Sequence, residues 1–178
     1  KTAEEMKTEY HFNRNQIAAL DELLEQRDLL RELIEDVYSV SGDTAALIRS
    51  LPEDLSPERE AVVRAACSLV GKVNYFWGGK SYSIGPDPKW GELTEVESGG
   101  SSTTGEMRPY GLDCSGFVAW CFLQQGLTNE ELESQVGLGT WAQWENSEEI
   151  SWKELRVGDI VFQNAYPTNK GNHIGICI

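Results

Sequence analysis

Nine consecutive residues, Tyr110-Gly111-Leu112-Asp113-Cys114-Ser115-Gly116-Phe117-Val118, limit what this chain can become more than any other stretch. Phe117, Val118, Cys121 and Phe122 recur at helical spacing and Gly126 supplies a stop, which predicts a helix beginning close to Cys114. A thiol at a helix start feels the positive end of the macrodipole, which favours thiolate. First-turn N–H groups lack carbonyl partners within the helix and can stabilise an oxyanion. Ser115 and Gly116 are small enough to let a substrate backbone come close. The commoner fate of any one cysteine is burial, and Cys121, seven residues on among large apolar neighbours, is read that way. At ~1.5 Å rise per residue the two lie about two turns apart, too far for a disulfide within an intact helix.

The second informative run is Asn172-His173-Ile174-Gly175-Ile176-Cys177-Ile178. Strand alternation places His173, Gly175 and Cys177 on one face and the three isoleucines on the other. The isoleucine face requires a core, so His173 projects the opposite way between small neighbours, as a base facing a cleft does. A lone strand histidine is more often a satisfied structural group; beside a helix-start cysteine it becomes a candidate base. A third run, Tyr75-Phe76-Trp77-Gly78-Gly79-Lys80-Ser81, contains a Gly-Lys-Ser step, but the first glycine of a phosphate loop would fall at Asn74, so that signature fails. An aromatic strand ending in a Gly-Gly turn is the simpler reading.

Charge and cysteine usage exclude several functions. With 15 Lys and Arg against 29 Asp and Glu the net charge is −14, which argues against a nucleic-acid partner, since binding phosphates needs clustered cations. Four cysteines (Cys67, Cys114, Cys121, Cys177) are too few and dispersed for a disulfide scaffold, and none has zinc-knuckle spacing. The two histidines, His11 and His173, form no H-E-x-x-H pattern, so neither a metal nor any other cofactor is expected. No apolar run approaches the roughly 18 residues of a membrane span. No signal peptide opens the chain; if the protein is exported, its signal or membrane anchor lies upstream of the sequence given.

Two regions are expected. Thr2-Ala3-Glu4-Glu5 reads as a capping box, and Ile17, Leu20, Leu24, Leu30, Ile34 and Val37 follow helical spacing up to Gly42, with a short helix from Asp43 to Ile48. Residues 1–52 are thus a helical arm or spacer, and packing on the main domain is the favoured reading. Leu51 to Pro57 reads as a boundary, after which Ser56 as N-cap, Pro57 and Glu58 announce a helix with Val62, Ala65, Ala66 and Leu69 on one side and a stop at Gly71. Cys67 within it is read as core. Residues 80–110 look like a long irregular loop, and short β-like runs occupy 158–163 and 173–178.

Together the motifs resemble the NlpC-type cell-wall peptidases, a papain-like group. Tyr75 to Gly79 matches that family's Tyr-x-Trp-Gly-Gly, and Asp113 to Val118 matches Asp-Cys-Ser-Gly-Phe/Leu-Val. Gly158 to Phe162 matches Gly-Asp-x-Val-Phe, and His173 to Ile176 matches His-x-Gly-Ile. The resemblance covers approximately residues 57–178 and is silent on the helical arm. It implies an α+β fold with a small antiparallel sheet and the nucleophile's helix packed against it, preceded by the N-terminal helical segment. It implies a bacterial enzyme, extracellular or associated with the cell wall, that hydrolyses peptidoglycan stem peptides, usually between the γ-carboxyl of D-glutamate and the diamino acid. Cys114 would attack and His173 would serve as base. Tyr75 and Trp77 would line the cleft, while Asp113 and Ser115 would contact the substrate's free amino end. Tyr82, Trp90 and Tyr110, from the longer 80–110 segment, would reshape it. The family's third polar residue follows the histidine strand, and only five residues follow His173, so that residue and the completing strands are expected beyond the sequence given. A wall amidase of different bond specificity and a catalytically silent wall-binding module are the alternatives.

Overall fold

A computed structural model describes residues 3–25, 42–163 and 173–178. The chain divides into two compact units, Lys1–Ala45 and Ala46–Ile178.

In the first unit α1 (Ala3–Glu9) and α2 (Arg14–Glu25) are separate helices. The break falls at His11, whose φ of 51° is left-handed. Asn13 then starts α2: its side chain accepts from the Asn15 and Gln16 N–H groups at 3.0 Å, and the Gln16 side chain accepts from the Asn13 N–H at 2.9 Å. This reciprocal cap resets the helix. Lys7 Nζ joins the two helices by bridging Asp21 at 2.6 Å and Glu4 at 2.7 Å. Thr2 of the expected capping box, and Leu30, Ile34 and Val37, lie outside the described residues. The short helix expected from Asp43 is α3 (Gly42–Arg49), which spans the division between the units and includes Gly42.

The second unit is α+β. Helix α4 (Pro57–Ser68) starts where Ser56 caps it, the Ser56 side chain accepting the Arg59 N–H, and ends at Leu69. Val62, Ala65, Ala66 and Leu69 pack with Leu112, Trp120 and Cys121 to form the main core, against α5 (Cys114–Leu123). On the other side of α5, Ala119 and Leu123 meet Leu132. Leu132 opens a π-helical turn (Leu132–Val136) that continues the short α6 (Asn129–Glu131); α7 (Thr140–Glu145) follows.

Six short strands form three pairs among the described residues. β1 (Asn74–Tyr75) runs parallel to β4 (Gly111–Leu112). β2 (Leu93–Glu95) and β3 (Met107–Pro109) form an antiparallel hairpin. β5 (Ile160–Gln163) pairs antiparallel with β6 (His173–Ile176), with Ile160 opposite Ile176 and Gln163 opposite His173. The segment read as an irregular loop at 80–110 is therefore an ordered insertion. Tyr110 N–H to the Glu92 carbonyl at 2.7 Å and Gly105 N–H to the Val96 carbonyl at 2.9 Å extend its ladder. Its strands are three residues long and mostly exposed, so they carry no alternation of buried and exposed positions to reveal them.

Strand β6 lies against α5. Ile174 is buried and Ile176 packs on the main core, as the alternation predicts, while Ile178 remains exposed. The hairpin is also clamped to α4: Arg59 Nη1 reaches Asp159 Oδ1 at 2.7 Å and donates to the Val157 carbonyl at 2.8 Å. The Asp159 carbonyl accepts the Cys177 N–H at 2.7 Å, so the Gly158-Asp159 step serves to anchor the strands.

Candidate active site

Cys114 is the first residue of α5, and the helix starts there because Asp113 caps it. Asp113 Oδ1 accepts the Gly116 N–H at 2.6 Å and the Ser115 hydroxyl at 2.9 Å, while its carbonyl receives the Phe117 N–H at 2.8 Å. The Asp113 N–H donates to the Gly79 carbonyl at 3.1 Å. Among the described residues this leaves the N–H groups of Cys114 and Ser115 as first-turn donors with no protein acceptor.

The aromatic-Gly-Gly segment is the other wall of this turn. Phe76 N–H donates to the Leu112 carbonyl at 3.1 Å, continuing the β1–β4 pairing. Gly79 and Gly116 are required by contact: a Cβ on Gly116 would collide with the Gly79 carbonyl oxygen, and one on Gly79 with the Gly111 carbonyl oxygen. Glycine is what allows the two motifs to touch. The pairing sets Tyr75, which is exposed, beside the first turn of α5. Burial, then the charges of Cys114 and Asp113, push the Tyr75 phenol above its ordinary pKa.

Trp77 is half-buried, and its indole N–H donates to the Gly99 carbonyl at 2.9 Å, which ties the 80–110 insertion to this wall. Within that insertion Trp90 packs edge-on against Trp120, with ring centres 5.4 Å apart, and contributes to the core. The Tyr82 hydroxyl reaches Glu133 at 3.1 Å.

His173 is exposed at the start of β6, opposite Gln163. Because β6 packs on α5, the elements bearing Cys114 and His173 are neighbours. Cys67 and Cys121 are buried, as expected, and burial raises both thiols above their ordinary pKa.

Asp113 and Ser115 are themselves buried. Lys80 holds both, its ammonium lying 2.6 and 2.5 Å from the two Asp113 carboxylate oxygens and 3.0 Å from Ser115 Oγ. Gln143 supports the same turn from α7, donating to the Ser115 carbonyl at 2.8 Å. Sequence reading singled out neither residue.

A core helix that starts at a capped cysteine and packs on a histidine-bearing strand is the arrangement that the four motifs lead one to look for. Residues 71–178 match the model of the NlpC/P60 family, and the chain belongs to that family of NlpC-type cell-wall peptidases. Over 117 residues, 66% of this chain, it is 29% identical to the peptidoglycan DL-endopeptidase CwlO of Bacillus licheniformis. The match spans 20% of that protein's length. No solved structure matches.

Proposed function

We propose that the chain is a bacterial cysteine endopeptidase, papain-like in fold, that hydrolyses peptidoglycan stem peptides at the bond between γ-D-glutamate and the diamino acid. The observation that carries this reading is the position of Cys114 as first residue of a capped helix packed against the strand of His173. Family membership and the peptidoglycan-cleaving relative support the substrate class.

In the reaction His173 takes the Cys114 proton and the sulfur attacks the carbonyl carbon. The Cys114 and Ser115 N–H groups receive the developing oxyanion at the helix start. His173 returns the proton to the departing amine, leaving a thioester, and then activates the water that hydrolyses it. Tyr75 and Trp77 line the cleft around the stem. The substrate lies outside the cell membrane, so the enzyme works extracellularly or within the wall.

Mass spectrometry of muropeptides after incubation with the protein and with Cys114→Ala tests the reading. Cleavage at the γ-D-glutamyl bond by the first and not the second is expected. Cleavage that survives in Cys114→Ala would remove Cys114 from its role. A stem peptide cut at another bond would replace the endopeptidase reading with an amidase of that specificity.

A further inference from the structure

At the end of α5 opposite to Cys114 the second unit carries a groove of about 800 Å³. Phe122 and Gln125 bring the close of α5 to it, and Phe122 stands about 12 Å along the helix from Cys114. The other walls are the start of α4, strand β5 and the segment 147–155 that follows α7. Trp144 packs edge-on against Phe162, ring centres 5.1 Å apart, which gives the groove an aromatic wall. Trp152 is 79% exposed, the most open of the large apolar side chains among the described residues, and Ile150 is exposed nearby in the chain. The turn that presents Trp152 is itself built. The Ser151 hydroxyl and N–H both donate to Glu154 Oε2, at 2.7 and 3.1 Å, and the Glu154 N–H returns to the Ser151 carbonyl at 2.9 Å. An indole held out in water forfeits the burial that a side chain of its size gains elsewhere, and an apolar groove with a charged rim has the make-up of an interface.

Charge decides what fits. Glu58 from α4, and Glu148 and Glu149 from the segment after α7, line the groove, and all three are exposed. The one lining cation, Arg59, already pairs with Asp159 at 2.7 Å, which leaves three carboxylates beside the apolar side chains. We propose that this groove docks a basic segment of a partner protein, one in which Lys or Arg alternates with apolar residues, at a place separate from the catalytic centre. Its cations meet the three carboxylates and the face of the Trp152 indole. Its apolar side chains enter between Trp152, Ile150 and the Trp144–Phe162 pair. A second copy of the chain is a poor occupant, because each carries a net charge of −14 and would bring a like-charged surface to an acidic rim. A neutral sugar chain stacks on an indole but leaves the three carboxylates unmatched. Docking here is independent of the reaction at Cys114.

The probe is a fluorescein-labelled peptide of about ten residues, alternating arginine and leucine, followed by fluorescence anisotropy at low salt. Wild type is expected to bind it with a Kd of about 100 μM or tighter. Trp152→Ala removes an apolar contact at a position exposed enough to leave folding intact, and the pair Glu148→Gln with Glu149→Gln removes two charges. Each is expected to weaken binding about tenfold, and the second also to flatten its salt dependence. No binding by wild type overturns the inference. So does an unchanged affinity in Trp152→Ala, which would mean that the peptide merely coats an acidic surface. Iodoacetamide should modify Cys114 at the same rate with and without saturating peptide, and protection of Cys114 would put the peptide in the catalytic cleft instead. Binding of a neutral chitin oligomer in place of the peptide, or a dimer that Trp152→Ala dissolves, would give the groove to a sugar or to a second copy and overturn the inference as well.

Discussion

Gln143 Nε2 donates to the Ser115 carbonyl at 2.8 Å, so the second residue of the Cys114 helix is held by a side chain from α7. The same nitrogen reaches the Gly137 carbonyl at 3.2 Å, and the side chain is fully buried. Gln143→Leu keeps most of the volume and removes both bonds. The expected loss is about 2 kcal/mol, seen as a lower urea midpoint with an unchanged slope. An unchanged midpoint would show that the two bonds contribute nothing.

What the sequence revealed and what it hid follow from the range of the interactions. The start of α5 was legible because its signals are local: apolar spacing after Cys114 and a glycine stop at Gly126. Ser56 and Pro57 announced α4 in the same way, and the isoleucine alternation announced β6. Lys80 was hidden because its partner, Asp113, is 33 residues away, and rejecting the phosphate-loop reading left the lysine without a role. Gln143 was hidden because no local pattern distinguishes a buried glutamine from an exposed one. The Asn13 to Gln16 cap, in contrast, is a local signal that could have placed the break after α1.

The contact between Gly116 and Gly79 gives a second prediction. Gly116→Ala adds one methyl where the neighbouring atom is a backbone oxygen, which no side-chain rotation can relieve. Either the first turn of α5 or the Gly-Gly turn has to shift. A loss of about 1–3 kcal/mol is expected, together with a drop in activity larger than the unfolded fraction explains. Thermal unfolding and activity assayed well below the melting midpoint separate the two effects.

Arg59 and Asp159 fix the β5–β6 hairpin to α4, and with it the strand of His173. The Arg59 side chain is 37% exposed, so solvent screens part of the attraction. Arg59→Ala is expected to cost about 1 kcal/mol, and Asp159→Asn in the Arg59→Ala background little more. Additive losses in that double-mutant cycle would mean the two residues act separately.

Tyr75 is exposed and stands beside the first turn of α5, so its hydroxyl is open to a ligand there. Tyr75→Phe is expected to leave stability within about 0.5 kcal/mol of wild type. On the proposed reading a loss in kcat of about tenfold is expected, the size of one hydrogen bond made by the hydroxyl in the reacting complex. Unchanged kcat with a raised KM would assign the hydroxyl to substrate binding alone.

The buried cysteines make the stability depend on pH in a direction that can be worked out. Cys121 has its thiol raised by burial and then by the nearby Cys67, and Cys67 is raised by burial, partly offset by Arg64. Below the ordinary thiol value of 9.0 both groups are protonated in the folded and the unfolded chain and contribute no pH dependence. Above it the unfolded chain releases these protons while the folded chain retains them, so the unfolded state binds fewer protons and stability falls as pH rises. Cys121→Ala removes one such group, so its urea midpoint should fall less steeply than that of wild type between about pH 8 and pH 10. Equal slopes would mean that Cys121 ionises alike in both states. Iodoacetamide labelling at about pH 8 provides the matching kinetic check. The half-buried Cys114 and Cys177 should be modified in the folded protein, and Cys67 and Cys121 only once urea has unfolded it. Labelling of Cys121 in the folded chain would show that the core between α4 and α5 opens without global unfolding.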